Sequence, residues 1–185
     1  MSKKVFVFVG MPGAGKSTLV DYLETKGIPN VYFGGITVNE VKRRGMEVNE
    51  ANEKKVREEL RATEGPGVMA KRIIIELEKL FEQGHDTLVA DGLYSWPEYK
   101  IFKDKFRDNA IIIAVVASRK ARHERLAKRP VRPLTDEEAT AREYAEIENI
   151  EKGGPIANAD YTLINNTTPD ELITQLDITL KEINM

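Results

Sequence analysis

A glycine-rich segment near the start of the chain, residues 10–17, constrains the possible fold more than any other feature of this sequence. It reads Gly-Met-Pro-Gly-Ala-Gly-Lys-Ser and follows an unbroken apolar run over residues 5–9, which is typical of a buried parallel strand. The residues from 16 to about 26 are predicted to form a helix. The spacing Gly-x-x-x-x-Gly-Lys-Ser between a strand and a helix is typical of a phosphate-binding loop, because glycine backbone N–H groups and a helix amino terminus both attract anions.

The residues of this phosphate-binding loop have predicted parts in binding ATP and magnesium. Lys16 would reach the β- and γ-phosphates and act in catalysis, while the Ser17 hydroxyl would ligate Mg²⁺ and Thr18 would touch the α-phosphate. The other predicted nucleotide contacts are made by Gly10, Pro12, Gly13, Ala14 and Gly15. The alternative is a glycine turn that merely opens a helix. Average residue usage makes a chance match to the whole pattern rarer than about one in a hundred.

Apolar runs that alternate with helical patterns predict the fold class. Strands are predicted at residues 5–9, 31–33, 87–91, 110–117 and 161–164, with helical segments between them. Because these strands are joined by helices rather than by hairpins, we expect a single domain over residues 1–185 with an α/β three-layer sandwich. Its parallel sheet of five strands would be covered by helices on both faces. Gly34 and Gly35 are expected to close the second strand, and residues 153–155 are expected to form a loop.

Asp91 stands at the end of the third predicted strand. In folds with a phosphate-binding loop, an acidic residue at the end of a neighbouring strand holds the water shell of the metal. Asp91 is therefore a predicted magnesium ligand and a predicted catalytic residue. A strand-end aspartate can equally form a turn or cap a helix, so these alternatives stay open.

A strongly basic segment lies between residues 119 and 132, where seven basic side chains stand against one acid, Glu124. The basic residues are Arg119, Lys120, Arg122, Arg125, Lys128, Arg129 and Arg132. Arginines on a closing segment stabilise the charge of a transferring phosphoryl group and keep water away from it. Arg125 and Arg129 are accordingly predicted to act in catalysis from a helical lid. The alternative is a solvated basic helix face.

The insertion over residues 34–72 is the predicted acceptor-binding region. Arg43 lies near the end of one predicted helix, and Arg57 and Arg61 share a face of the next. These three arginines are predicted to bind an acceptor phosphate, because a guanidinium group offers paired donors. Ordinary surface ion pairs with nearby glutamates are the alternative.

Aromatic and histidine residues give weaker indications. Tyr94, Trp96 and Tyr99 are expected either to line the acceptor pocket or to pack in the core. His85 and His123 are expected at the surface or at a strand entry rather than in catalysis.

Composition limits the remaining classes of function. The chain has 185 residues and no cysteines, which excludes disulfides, thiolate metal sites and a cysteine nucleophile. Its net charge of -2 gives no general attraction for nucleic acid, and no apolar run approaches the ~20 residues of a membrane span. We therefore expect a cytoplasmic protein whose partner is a small-molecule phosphate acceptor.

Together these motifs resemble the adenylate-kinase-related proteins close to dephospho-CoA kinase. The resemblance covers nearly the whole chain and rests on residues 7–17, 41–45, 57–61 with 64–66, 91–92 and 157–161. It implies the nucleoside monophosphate kinase fold with strand order 2-3-1-4-5, an acceptor-binding part at residues 34–72 and a lid at residues 125–142. It also implies that Arg119 and Arg122 flank the adenine of ATP and that Arg129 and Arg142 face its phosphates.

The sequence departs from this resemblance at two places. Relatives often carry Gly-Asp where this chain has Gly34-Gly35, and an arginine where it has Leu93-Tyr94. The aspartate of the relatives would order the acceptor or help to deprotonate its hydroxyl, and Glu40 is a candidate substitute here. We therefore predict transfer of the γ-phosphate of MgATP to a nucleoside monophosphate. Hydroxyl phosphorylation of the dephospho-CoA kinase kind and slow regulatory ATP hydrolysis are the alternatives.

Overall fold

Strands and helices alternate along the chain in the computed structural model, which describes residues 3–130 and 133–183 and thus leaves Arg132 outside the described residues. The described strands are β1 (Lys4–Val9), β2 (Asn30–Tyr32), β3 (Thr87–Asp91), β4 (Ala110–Val116) and β5 (Tyr161–Ile164). The described α-helices are α1 (Lys16–Thr25), α2 (Phe33–Arg43), α3 (Glu50–Glu64), α4 (Val68–Glu82), α5 (Trp96–Phe106), α6 (Arg119–Lys128), α7 (Asp136–Ile150), α8 (Gly153–Ala157) and α9 (Pro169–Glu182), and a short 3-10 helix spans Arg107–Asn109. None of these helices is both long and apolar enough to span a bilayer.

The five strands form one parallel sheet in the order β2-β3-β1-β4-β5. Phe8 of the central strand β1 is in register with Asp91 of β3, which is in turn in register with Tyr32 of β2. The predicted α/β sandwich and its strand order are thereby confirmed. Since all the strands are parallel, the residues that follow them meet at one edge of the sheet, the place where such folds bind ligands.

Alternate side chains of β1 pack into two cores, one on each face of the sheet. Val5, Val7 and Val9 contact a core built with α2, α3, α4 and α5, whereas Phe6 and Phe8 contact a core built with α1 and α9. All of these β1 side chains are fully buried. The unbroken apolar run in the sequence follows from this position, because a central parallel strand meets a helical layer on both sides.

Helix α2 begins directly after β2, so the prediction that Gly34 and Gly35 close the second strand is wrong. Phe33 opens the helix and is buried against Phe102, with the ring centres 5.7 Å apart. The ring of Tyr32 lies 2.4 Å from the point that a Cβ at Gly34 would occupy, so a side chain there would displace the tyrosine. Burial of Phe33 and the absence of a side chain at Gly34 together favour the early start of the helix.

Residues 153–155, which were predicted to form a loop, belong instead to the short helix α8. Pro155 is buried, and the Trp96 ring lies 2.8 Å from the position of a Cβ at Gly154. The Tyr99 hydroxyl donates a hydrogen bond to the Asn158 carbonyl at 3.1 Å. These contacts dock α8 on α5, and this tertiary packing outweighs the low helix propensity of two glycines and a proline.

Phe102 offers a test of the core beneath the insertion, because it is fully buried between Phe33 and Phe106. Replacing Phe102 by Ala is expected to lower the free energy of unfolding by ~3–5 kcal/mol, since the change leaves a cavity. Urea denaturation followed by circular dichroism measures the loss. Tyr144→Ala, at a side chain that is 58% exposed on α7, is the matched control and should cost less than ~0.5 kcal/mol. Equal losses in the two variants would contradict the assigned core.

Candidate active site

The carboxyl edge of the sheet gathers the predicted site residues. The phosphate-binding loop follows β1, Asp91 ends β3, and Arg119 begins a helix shortly after β4. Lys16 and Asp91 are close enough for the Asp91 carboxylate to oppose the lowering of the Lys16 pKa. The structure therefore brings the loop, the strand-end acid and the basic helix to one place.

Three glycines of the phosphate-binding loop have backbone conformations and contacts that exclude a side chain. Gly10, Gly13 and Gly15 have φ angles of 150°, 76° and 102°, in the region that favours glycine. A Cβ at Gly10 would lie 2.4 Å from the Val115 carbonyl oxygen, and one at Gly15 would lie 2.1 Å from the Asn165 amide nitrogen. The first turn of α1 carries no acidic residue. This loop and helix terminus thus suit an anion, as the sequence predicts.

The Lys16 amine turns back onto the loop that precedes it. Its Nζ donates to the Gly10 carbonyl at 2.9 Å and approaches the Met11 carbonyl at 3.4 Å. Burial lowers the pKa of Lys16 to about 7, the ammonium of Lys152 acts in the same direction, and the Asp91 carboxylate opposes both. The surroundings of Lys16 therefore stabilise its charged form poorly. A bound phosphate would supply the missing negative charge.

Ser17 and Asp91 supply the oxygen atoms predicted to hold magnesium. Ser17 is exposed, and Asp91 is partly buried with its pKa raised by burial against the opposing effect of Lys16. Over residues 3–130 and 133–183, no group of three or more acidic, histidine or cysteine side chains could hold a metal ion. A hydroxyl and a carboxylate fit Mg²⁺, which usually keeps water and phosphate oxygens as its other ligands. Their role as ligands stays a prediction.

Asn165 braces the phosphate-binding loop, a role that the sequence patterns did not indicate. It is buried directly after β5, and its side-chain amide donates to the Ala14 carbonyl at 2.7 Å. Arg125 donates to the Asn165 carbonyl at 2.9 Å and approaches the Gly13 carbonyl at 3.4 Å. Arg125 thus contacts the loop itself, and its catalytic role stays a prediction. A wider rule, which considers any polar residue directly after a predicted parallel strand, would have identified Asn165.

Glu143 of helix α7 pairs with the two arginines predicted to flank adenine. Its carboxylate lies 2.6 Å from Arg122 Nη2 and 3.4 Å from Arg119 Nε, and Arg122 also donates to the Ala117 carbonyl at 2.5 Å. Arg119 keeps 54% of its side chain exposed. The adenine contacts of both arginines remain predictions. In the structure, both guanidinium groups form ion pairs with Glu143 of α7.

The prediction that His123 lies at the surface or a strand entry is wrong. His123 lies within α6 with 8% of its surface exposed, its Nδ1 forms a close contact with Asp136, and its Nε2 lies 3.3 Å from Glu143 Oε1. It is buried because α7 packs on α6 at this point. His85, by contrast, is partly exposed just before β3.

A surface cavity of about 450 Å³ lies between α6 and the chain that follows β5. Its lining includes Arg125, Lys128, Arg129 and Asn166. This volume falls within the range of small-molecule sites, and the lining joins the predicted lid arginines to the end of the sheet. Arg142 pairs with Glu146 at 3.0 Å, and its predicted contact with phosphate stays a prediction.

The three arginines of the insertion have different partners. Arg43 is 73% exposed in its side chain and pairs with Glu40 at 2.7 Å, while Arg57 lies 3.6 Å from Glu50. Arg61 is more enclosed and lies 3.9 Å from Glu98 Oε1. These ion pairs of Arg43, Arg57 and Arg61 share no carboxylate, and the binding of an acceptor by the three arginines stays a prediction.

Glu40 is poorly suited to the role of substitute acid. It is buried, and its hydrogen bonds with Arg43 and Arg44 lower its pKa to about 2. Arg72 lies a further 3.8 Å from its carboxylate. A carboxylate held in this way is a weak base, and it serves mainly to join α2 to α4.

The aromatic residues after β3 pack against their neighbours. Tyr94 meets Phe33 edge to face with ring centres 6.3 Å apart, and Trp96 stacks on Tyr99 at 4.9 Å. The ammonium of Lys152 lies against the face of the Tyr94 ring, and Lys152 is buried. No sequence pattern indicated this residue, because it is an isolated basic residue before two glycines.

The low pKa of Lys16 predicts that binding of preformed MgATP takes up a proton. At pH 8 a lysine with a pKa of about 7 is mostly neutral, and a phosphate partner would raise the pKa and recharge it. We expect uptake of about one proton at pH 8 and much less at pH 6, where Lys16 is already charged. Calorimetry in buffers of different ionisation enthalpy measures this, and Lys16→Met should remove most of the uptake. The same uptake at both pH values would contradict the assignment.

Comparisons with known proteins agree with this fold. A family model described as an AAA domain matches residues 7–150. Among solved structures the chain is similar to TT1252 from Thermus thermophilus, with a TM-score of 0.70, 18% identity and coverage of 100% of both chains. It is also similar to a shikimate kinase from Acinetobacter baumannii in complex with shikimate, with a TM-score of 0.58, 17% identity and coverage of 99% of this chain and 96% of that one. The resemblance to adenylate-kinase-related proteins is thus supported at the level of a P-loop kinase-like fold.

A curated relative shows the family. The chain is 35% identical over 182 residues to a UPF0200 protein of Thermococcus kodakarensis, and the alignment covers 97% of each protein. With the AAA-domain match and the phosphate-binding loop at the edge of a five-stranded parallel sheet, this likeness means that the chain belongs to the UPF0200 protein family.

Proposed function

We propose that this protein transfers the γ-phosphoryl group of MgATP to a small acceptor, in the first place a nucleoside monophosphate. One observation carries the proposal: a phosphate-binding loop and a partly buried lysine of low pKa meet the strand-end acid Asp91 at the same edge of the sheet. Such a site favours a bound polyphosphate, because an anion relieves the unbalanced positive charge.

The donor side of the site accounts for binding of the nucleotide. Backbone N–H groups of residues 13–17 and the start of α1 would surround the phosphates, with Lys16 leaving the Gly10 carbonyl to reach the β- and γ-phosphates. Bound Mg²⁺, held by Ser17 and Asp91, would neutralise charge on the phosphate oxygens. The cavity between α6 and the chain after β5 is large enough for a base.

The acceptor side of the site centres on Arg61 of α3. Burial lowers the pKa of Arg61, and Glu98 is its nearby carboxylate at 3.9 Å, a distance longer than a hydrogen bond. The Glu98 Oε1 atom finds no hydrogen-bond partner among the described residues. Arg61 therefore keeps donors for a ligand anion, which supports a phosphorylated acceptor over a neutral one.

The chemical step is an in-line displacement. The acceptor oxygen forms a bond to the γ-phosphorus while the bond from that phosphorus to the bridging oxygen of ADP breaks, and the acceptor loses its proton, if it has one, to a base or to water. Lys16 and the lid arginines Arg125 and Arg129 would stabilise the charge that spreads over the transferring group. The protein thus contributes position and positive charge rather than a covalent intermediate.

A hydroxyl acceptor is the second candidate. The observation in its favour is the partly buried Asp91 carboxylate at the end of β3, which in this function would take the hydroxyl proton instead of ligating Mg²⁺ directly. The third candidate function is slow hydrolysis of ATP by a regulatory protein. It rests on the phosphate-binding loop alone.

An assay with a panel of acceptors separates these functions. The full chain is incubated with MgATP and AMP, CMP, GMP, UMP, dephospho-CoA or water alone, and ADP and phosphorylated product are quantified by chromatography. We expect product with a nucleoside monophosphate, and Lys16→Ala should abolish it without changing the circular dichroism spectrum. Product with dephospho-CoA alone would support the hydroxyl acceptor, and ADP with no phosphorylated product would contradict both kinase functions.

Arg61→Ala then tests the acceptor site in the same assay. We expect the KM for the acceptor to rise by about 10- to 100-fold with little change in the KM for ATP, because a charged hydrogen bond contributes ~1.5–3 kcal/mol. Lys54→Ala is the matched control, since Lys54 lies on the same helix with 64% of its side chain exposed. An acceptor KM that changes equally in both variants would exclude a role for Arg61.

A further inference from the structure

Lys152 is a buried cation beside the proposed site. Only 2% of its surface is exposed, its Nζ forms a close ion pair with Glu146, and it lies 4.8 Å from the centre of the Tyr94 ring. Glu146 also accepts from Arg142 at 3.0 Å. The Glu146 carboxylate of α7 thus forms ion pairs with two cations, Lys152 and Arg142.

The backbone after α7 directs Lys152 towards the sheet edge. Glu151 has a left-handed conformation, with φ 53° and ψ 40°, and the Lys152 N–H donates to the Glu146 carbonyl at 3.1 Å. The chain then enters α8, which is docked on α5 through Trp96 and Gly154. Since α5 closely follows β3, this docking places Lys152 next to Tyr94 and close to the end of β3.

The charges around Lys152 are unusual for a purely structural ion pair. It lies close enough to Lys16 for its charge to lower the pKa of Lys16, because two ammonium groups repel. Burying an ammonium costs several kcal/mol unless partners compensate, and an apolar residue of similar size would avoid that cost. The charges that act on Lys16 are two cations, Lys152 and Arg142, and two carboxylates, Asp91 and Glu146, so the charge of Lys16 itself is unmatched there, while Glu98 is a further carboxylate near Lys152.

Lys152 also lies between the two halves of the site. Lys16 belongs to the phosphate-binding loop, and Glu98, whose charge also reaches Lys152, faces Arg61 of the insertion. An anion shared by Lys16 and Lys152 would therefore lie at the point where a phosphoryl group passes from donor to acceptor.

We propose that Lys152 is a second phosphate-binding cation that contacts the γ-phosphoryl group of ATP opposite Lys16, with Glu146 as its counterion until the nucleotide binds. The inference rests on the proposed function, because it requires ATP in the loop. Lys152 donates N–H hydrogen bonds to phosphate oxygens and keeps its proton throughout. The bonds that form and break at phosphorus are those of the transfer itself.

The preference for a triphosphate over a diphosphate tests this inference. Dissociation constants of the magnesium complexes of AMP-PNP and ADP are measured by calorimetry for the full chain. In the Glu146→Gln, Lys152→Gln double variant, which keeps a neutral hydrogen-bonding pair, we expect ADP affinity within about twofold of wild type and AMP-PNP affinity about 10- to 100-fold weaker. Lys103→Gln is the matched control, since Lys103 pairs with Asp160 before β5, at the opposite edge of the sheet, and should behave as wild type.

The single variant Glu146→Gln is expected to change AMP-PNP affinity in the opposite direction from the double variant. Removing the counterion leaves Lys152 and Arg142 without a charged partner, so AMP-PNP should bind about threefold tighter or more, while ADP binding stays unchanged. Both variants are first checked for fold by circular dichroism. If the double variant fails to fold, the sign of the Glu146→Gln effect decides alone.

Each outcome is informative. Wild-type protein that binds neither nucleotide would overturn the proposed function, and this inference with it. Wild-type protein that binds ADP but shows no preference for AMP-PNP would overturn the role of Lys152 alone. So would a double variant that keeps the wild-type preference, or a Glu146→Gln variant with weakened AMP-PNP binding, because both results indicate a structural ion pair.

Discussion

The close approach of the phosphate-binding loop to its neighbours, with no side chain between them, is the constraint on which the rest of the site depends. The Val115 carbonyl, the Arg122 carbonyl and the Asn165 amide fill the places where Cβ atoms of Gly10, Gly13 and Gly15 would lie. These contacts come from β4, from α6 and from the chain after β5. The curvature of the loop is therefore set by three separate elements, and a shift of any of them would alter the positions of the N–H donors.

Helix α7 supplies the counterions for the basic side of the site. Glu143 and Glu146 are three residues apart on one helical face, where the first pairs with Arg122 and the second with Lys152. Positive charge of the basic helix and of the chain after α7 is thereby paired with acids of α7. A chain with a net charge of -2 thus contains a strongly basic segment, part of whose charge is paired with acids of α7.

Features that depend on local pattern were predictable from the sequence, and features that depend on distant contacts were not. The β1 run, the loop spacing and the strand-helix alternation predicted the five-stranded parallel sheet and the place of Asp91, because buried parallel strands have a distinctive composition, whereas the strand order came from the family resemblance. The helix start at Phe33 and the burial of His123 depend on partners far along the chain, namely Phe102 and Glu143. Lys152 was missed because no local pattern marks it: Glu146 belongs to the preceding helix, and Tyr94 lies far along the chain, after β3.

The two adjacent glycines at the start of α2 differ in how freely evolution could replace them. Gly34 lies beneath the Tyr32 ring, so any side chain there would first require loss or rotation of that tyrosine. Gly35 has an ordinary contact of 3.8 Å to the same ring and a helical backbone that any residue accepts. A side chain at Gly35 is thus compatible with the local packing, whereas one at Gly34 is not. The start of α2 can therefore change its chemistry through position 35 without a change in the fold.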